Sequence, residues 1–211
     1  MQFKSFFLLL LVALCSSCIV RSWNAFYFEK QTVNAAFVLG AWQNEEKGED
    51  TEGQWVIEEL NGPDRIDKGQ QYRMSYFHEK QGLFTAHFHL SLFKVNEVLY
   101  ADIQDMSFRD GNAIPYLPSP FALFGQVPLH IIAKVQKRAT GGFDFLFLNE
   151  KAIGQKRIKY ISRSINEGDK GDEIVLTAST KKLQRWMKKL DESLWDMEYS
   201  LRPIIETNTL D

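Results

Sequence analysis

The stretch LFTAHFHLSLFK, residues 83–94, decides the fold. Phe84, Ala86, Phe88, Leu90 and Leu92 alternate in it with Thr85, His87, His89 and Ser91. Successive side chains of a strand point to opposite faces, so this pattern builds a strand with one buried and one wetter face. The same alternation returns with Leu129, Ile131, Ala133 and Val135 against His130, Lys134 and Gln136.

Outward from there, apolar or alternating runs recur at 36–42, 54–60, 70–77, 98–104, 128–137, 143–149, 156–163 and 173–178. Turn chemistry separates them: Asn61, Gly62, Pro63 and Asp64, then Gly82, Gly141 with Gly142, and the 168–171 loop. A meander of this many strands leaves two open edges unless it closes on itself, and closure removes them. The expected fold is mainly β, a single antiparallel barrel, preferred to a sandwich. After Ser179 and Thr180, residue types that cap helices, Leu183, Trp186, Met187, Leu190 and Leu194 recur at helical spacing. They predict a C-terminal amphipathic α-helix packed on the sheet after the last strand, and a shorter helical turn is expected at 149–153.

The start of the chain supplies an address. Lys4 precedes an apolar run over residues 6–14, followed by Cys15, Ser16, Ser17 and Cys18. A basic start, a short apolar core and small residues before a cysteine form a secretory signal ending at a lipid-attachment site. The run is too short for a span of about twenty residues. Cys18 is the better lipid attachment site, because Ser16 and Ser17 precede it while Cys15 follows the bulky Leu14. The stretch resembles the lipobox of bacterial lipoproteins, and the expected localisation is a bacterial cell envelope, periplasm-facing or outer-membrane associated. The expected organisation is a signal peptide over 1–17, a tether over 18–35, the barrel with its helix over 36–200 and a tail over 201–211. Both cysteines lie in the leader, so no disulfide is expected. Stability then rests on the core, for which a 45% hydrophobic chain with sixteen Phe has the material. A net charge of −2 carries no basic excess pointing to nucleic acid.

Gly40, Ala41 and Trp42 sit on the first expected strand, and this Gly-x-Trp resembles the motif of lipocalin-type (calycin) barrels. The layout with Leu92, Phe93 and Lys94, then Tyr100 and Asp102 before a long loop, Pro128 to His130 at a strand start and Leu176 to Gln184 entering a helix looks like that of bacterial lipocalin-like lipoproteins. The resemblance implies a barrel with Trp42 closing one end and Gly40 letting the chain pass close beneath it. It implies no particular function.

Local signatures of enzymes are absent: no Gly-x-Ser-x-Gly elbow, no His-Glu-x-x-His helix and no phosphate-cradling glycine loop occur. A non-catalytic protein without cofactor is the expectation, with an envelope hydrolase as the lesser alternative. His87 and His89 share a strand face and could reach one metal ion with His130 or His78, but a wet face opposite Phe84 and Phe88 explains them more simply. Glu45, Glu46, Glu49, Asp50 and Glu52 read as a solvated loop. Residues 106–127 form a long apolar segment with three prolines, a lid over a barrel mouth or a plug within it. Lys181, Lys182, Arg185, Lys188 and Lys189 make a cationic helix face, a solvated surface or a rest for anionic lipid.

These readings combine into a lipid-anchored envelope protein, held at the membrane by its N-terminal lipid, whose barrel binds or carries an apolar small molecule or lipid. The expected ligand-binding residues are Trp42, Trp55, Tyr72, Phe84, Phe88, Ile131 and Phe145, beneath the 106–127 segment. The alternative is a non-catalytic structural or interaction lipoprotein whose barrel is filled by its own side chains. The anchor has a direct test: metabolic labelling with palmitate is expected to mark the wild-type chain and not Cys18→Ser. Label kept by Cys18→Ser and lost from Cys15→Ser would overturn the assignment.

Overall fold

The computed structural model describes residues 20–45, 53–61, 69–78, 84–105, 129–139, 141–148, 161–164, 173–195 and 197–204. The leader with Cys18, the 106–127 segment, the 149–153 turn and most of the acidic 45–52 stretch lie outside the described residues.

Among the described residues, eleven strands form one sheet: β1 (Arg21–Ser22), β2 (Gly40–Asn44), β3 (Gly53–Glu59), β4 (Tyr72–His78), β5 (Phe84–Val95), β6 (Val98–Asp105), β7 (His130–Lys137), β8 (Phe143–Phe147), β9 (Ile161–Ser164), β10 (Glu173–Leu176) and β11 (Met197–Pro203). Helix α1 (Thr180–Met187) stands between β10 and β11. Consecutive hairpins run from β2 to β8, and β6 pairs with β7 despite the long segment between them. β11 then bonds β8 on one side and β2 on the other. The result is a closed antiparallel barrel of eight strands, β2 to β8 and β11.

Closure differs from the sequence expectation in where it happens. The helix precedes the last strand: β11 follows α1, and residues 201–203, read as tail, are its end. The runs near 156–163 and 173–178 do form strands, but β9 and β10 stand outside the ring. They join it through β1, which pairs with β10 in parallel and with the start of β7 antiparallel. Residues 20–35, read as a tether, are packed into the fold from Val20 onward, with Phe26 fully buried.

Register places one set of residues inside the ring. Trp42, Trp55, Ile57, Met74, Phe88, Leu90, Leu92, Ala101, Ile103, Ile131, Ala133, Phe143, Phe145 and Leu201 make one apolar cluster. Odd or even positions alternate consistently across paired strands, as in Leu90↔Ile103↔Ile131. Two residues turn β5 into β6, Asn96 and Glu97, both with positive φ (50° and 63°). This is the backbone a two-residue hairpin needs to match the twist of its strands.

A second cluster covers the outside of β5 to β7. Phe93, Val95, Tyr100 and Ile132 point outward and pack against Val20, Phe26 and Tyr27, and against Leu183, Trp186 and Met187 of α1. The expected wet face of β5 is therefore dry over much of its length: His89 and Ser91 are each 3% exposed. The physical reason is that strands β5 to β7 are sandwiched between the barrel interior and the helix layer, so alternation no longer separates core from solvent. At the helix start, Ser179 supplies its carbonyl to Lys182 N (2.8 Å) and Leu183 N (3.0 Å), but its side chain makes no capping bond. Thr180 Oγ1 instead donates to the Ala25 carbonyl (2.7 Å) and ties helix to N-terminal segment.

If β11 closes the barrel, Leu201, with no exposed surface, carries core energy. Leu201→Ala is expected to cost about 2–5 kcal/mol in urea unfolding. A change within about 0.5 kcal/mol, the usual size for an exposed site, would place residue 201 in a loose tail.

Candidate functional site

The two ends of the barrel are built differently. At one end, a 3-10 turn at Ala36–Val38 enters β2, and Trp42 folds under it: the indole Nε1 donates to the Val38 carbonyl (2.8 Å), and the ring meets Phe143 edge-on at 4.8 Å. Tyr72 closes the same region, with its hydroxyl accepting from Ala35 N (2.9 Å) and donating to Asn34 Oδ1 (3.4 Å). Burial pushes the Tyr72 phenol upward from its ordinary range, offset in part by the Ala35 bond. Gly40 has φ +123°, a conformation that disfavours any Cβ. A Cβ there would meet nothing within 4 Å, so backbone angle and not close approach accounts for this glycine.

Toward the other end lies a cavity of about 80 Å³ lined by Trp55, Met74, Ile103, Ile131, Phe145, Phe147, Tyr199 and Leu201, apolar atoms throughout. Trp55 is set by Tyr199, whose hydroxyl accepts from the indole Nε1 (2.8 Å), and by tilted contact with Tyr76 at 4.7 Å. Tyr76 in turn lies where a side chain on Gly53 would be, so this glycine makes room for the aromatic stack. With its polar atoms used in that pairing, the Trp55 and Tyr199 wall offers ring surface alone.

The expected binding residues are thus distributed. Trp55, Ile131 and Phe145 line the cavity. Phe88 lies just behind, with its ring 6.0 Å from that of Trp55. Trp42 and Tyr72 belong to the closed end. Phe84 occupies the start of β5, and its side chain is outside the described residues. Sequence reading missed Met74, Ile103, Phe147, Tyr199 and Leu201. For Tyr199 and Leu201 the signal was present as the alternation Met197, Tyr199, Leu201 in β11. β6 ends and β7 begins at the cavity end.

A polar site lies on the outer wall, under the N-terminal segment. Asp102, 3% exposed, accepts from Phe26 N through Oδ2 (2.8 Å), and its Oδ1 is 2.7 Å from His130 Nδ1. Beside it, Ser91 Oγ donates to the Tyr27 hydroxyl (3.1 Å); farther along β5, Ser75 Oγ sits 2.8 Å from His87 Nδ1. His130 is thus the partner of a buried carboxylate. Among the described residues no group of three or more His, Cys, Asp or Glu is placed to hold a metal ion. Glu45, read as part of a solvated loop, pairs with Arg138, whose hydrogen bond and charge hold its carboxyl below the usual range. Arg138 also donates to the Leu201 carbonyl (2.9 Å), joining the β7–β8 turn to β11.

No protein-family model matches this chain, and no curated protein or solved structure is significantly similar to it.

Burial works to lower the His130 pKa, but the Asp102 charge and the hydrogen bond to it outweigh burial and leave it raised. A raised folded pKa means the protonated form is favoured by folding, so the stabilisation is present below the unfolded value of about 6.5 and is lost as pH rises through the folded value. Stability measured by urea titration is expected to fall as pH is raised above about 6.5, and His130→Gln is expected to flatten that part of the profile. An unchanged slope in His130→Gln would assign the pH dependence elsewhere.

Proposed function

We propose that this is a lipid-anchored cell-envelope protein, tethered at Cys18, whose barrel binds an apolar small molecule or the end of a lipid chain without catalysing a reaction on it. The observation that carries the binding reading is the wholly apolar cavity walled by Trp55, Phe145 and Tyr199. Apolar cavities in proteins stay dry and take apolar guests, because their walls offer water no partners. The asymmetry of the ends supports the same reading: Trp42 and Tyr72 seal one end, while the cavity lies toward the end where β6 stops and β7 starts.

A second reading is favoured by the cavity's size. About 80 Å³ is well below the roughly 300 Å³ at which drug-sized pockets begin. Phe143 and Phe145 meet edge-on at 5.2 Å and fill much of the interior themselves. A barrel filled in this way serves as a structural or interaction module presenting its outer surface.

A fluorescent fatty acid titrated into the chain starting at Ile19 separates the two. Every described contact lies within residues 20–204, so this truncation removes none of them. Binding is expected to saturate, and a brominated fatty acid is expected to quench Trp55. Ile131→Trp, which fills the cavity from its wall, is expected to abolish saturation while circular dichroism stays unchanged. No saturable binding by the probe or by lipids extracted from the envelope would leave the interaction module standing.

A further inference from the structure

Helix α1 carries a cationic face on the side opposite its buried residues. Lys181, Lys182, Arg185, Lys188 and Lys189 are all exposed on it and just beyond its end. At about 100° per residue they fall within an arc of about 120°, while Leu183, Gln184, Trp186 and Met187 occupy the buried side. No acidic residue lies in the helix. Among the described residues, Glu29, Asp191 and Glu192 are acids on neighbouring elements, and Glu192 is engaged by Lys134.

Residues 23–31 run along the flank of this helix. Trp23 N donates to the Leu176 carbonyl (2.8 Å), and Gln184 Nε2 donates to the Phe26 carbonyl (2.9 Å) and to Gln31 Oε1 (2.6 Å). That flank carries two of the three large hydrophobic side chains exposed among the described residues, Trp23 at 56% and Phe28 at 41%. Lys30 lies beside them, exposed. Exposed aromatic rings bordered by cations match the headgroup region of a bilayer, where an indole settles between water and acyl chains while cations are drawn to anionic lipid. Nucleic acid shares the attraction to cations, but the whole chain is net negative at −2.

Position selects the bilayer. Cys18 lies five residues before Trp23, so the two are at most about 18 Å apart along an extended chain. We infer that α1's cationic arc, together with Trp23 and Phe28, is a docking surface for an anionic lipid bilayer and sets the orientation of the barrel on it. The placement of the bilayer rests on the anchoring reading of Cys18. The surface itself rests on the exposed side chains.

The test reconstitutes the full chain in phosphatidylcholine vesicles with and without phosphatidylglycerol, using phospholipid brominated near the headgroup. Subtracting the Trp23→Phe signal isolates Trp23 from the other tryptophans. Quenching of Trp23 is expected in the anionic vesicles, and combined Lys181→Glu, Arg185→Glu and Lys188→Glu is expected to reduce it at least about twofold, as is high salt. The combined glutamine variant, at the same exposed positions, is expected to give a smaller loss with unchanged circular dichroism. If the chain is acylated and membrane-bound while Trp23 remains open to aqueous iodide in both vesicles, docking is overturned and the anchor stands. If Cys18→Ser leaves acylation unchanged while Trp23 is still quenched, the anchor reading fails and docking stands. Quenching of Trp23 by an oligonucleotide and not by lipid would overturn the lipid assignment.

Discussion

A β-sheet is stable in water only if its edge strands find partners or are protected, and here the ring is sealed by β11. That strand hydrogen-bonds β8 through five register pairs, from Met197↔Phe147 to Leu201↔Phe143, and β2 through three. Without it, β2 and β8 would both present open edges, and the interior faces of all eight strands would lose their enclosure. Closure also fixes the cavity, since Tyr199 and Leu201 are part of its wall. The Tyr199 hydroxyl holds the Trp55 indole across the β11–β2–β3 junction. Core packing and site geometry therefore depend on the same late strand.

Closure around one core leaves the outer wall to be used for something else. Over β5, β6 and β7 it is covered by residues 20–31 and by α1, so these strands are buried on both faces. Double burial carries a cost for polar groups, and Asp102 shows how it is met. One carboxylate oxygen accepts the Phe26 amide and the other faces His130, so a buried acid has partners at both oxygens. Lys134, 7% exposed, is handled in a similar way, with Glu192 as its ion partner and the Trp195 ring 5.0 Å from its Nζ. The neighbouring Tyr100 phenol is pushed up to about 12 by burial and by the Glu192 charge. These polar contacts specify where the N-terminal segment and the helix lie on the wall, which apolar contact alone does not.

The ends of the barrel divide their roles for a chemical reason. Trp42, Tyr72 and the Ala36–Val38 turn exchange hydrogen bonds with backbone, so that end is knitted shut. The opposite end is walled by rings whose polar atoms are already paired, which leaves a space with nothing to offer water. An apolar guest there would bury its surface against rings that offer no competing hydrogen bonds.

Much of this was legible in the chain itself. The alternation from Phe84 to Leu92 specifies a strand and its inward set, because side-chain direction on a strand follows a period of two whatever the surroundings. The Trp186 and Met187 stripe specifies a helix for a similar reason, since the 3.6 period is local. Gly40 next to Trp42 marked a sealed end, although the glycine is there for its backbone angle. Local periodicity does not say which strand neighbours which, and so β11, just seven residues long after a helix, is not legible as a closing strand, its last three residues reading as tail. Nor does it say what covers an outer face: His89 and Ser91 alternate as wet positions and are buried by residues distant in the chain. Ile131 stood on an alternating strand, but both faces of the strands carrying Trp55, Tyr72 and Phe145 are partly apolar, so their inward faces, the meeting of Trp55, Ile131 and Phe145 around one cavity, and the separation of Trp42 and Tyr72 from it were decided by the tertiary structure. Ring closure sets the height of each residue along the barrel through the accumulated register of eight strand pairs, and no single segment of sequence contains that sum.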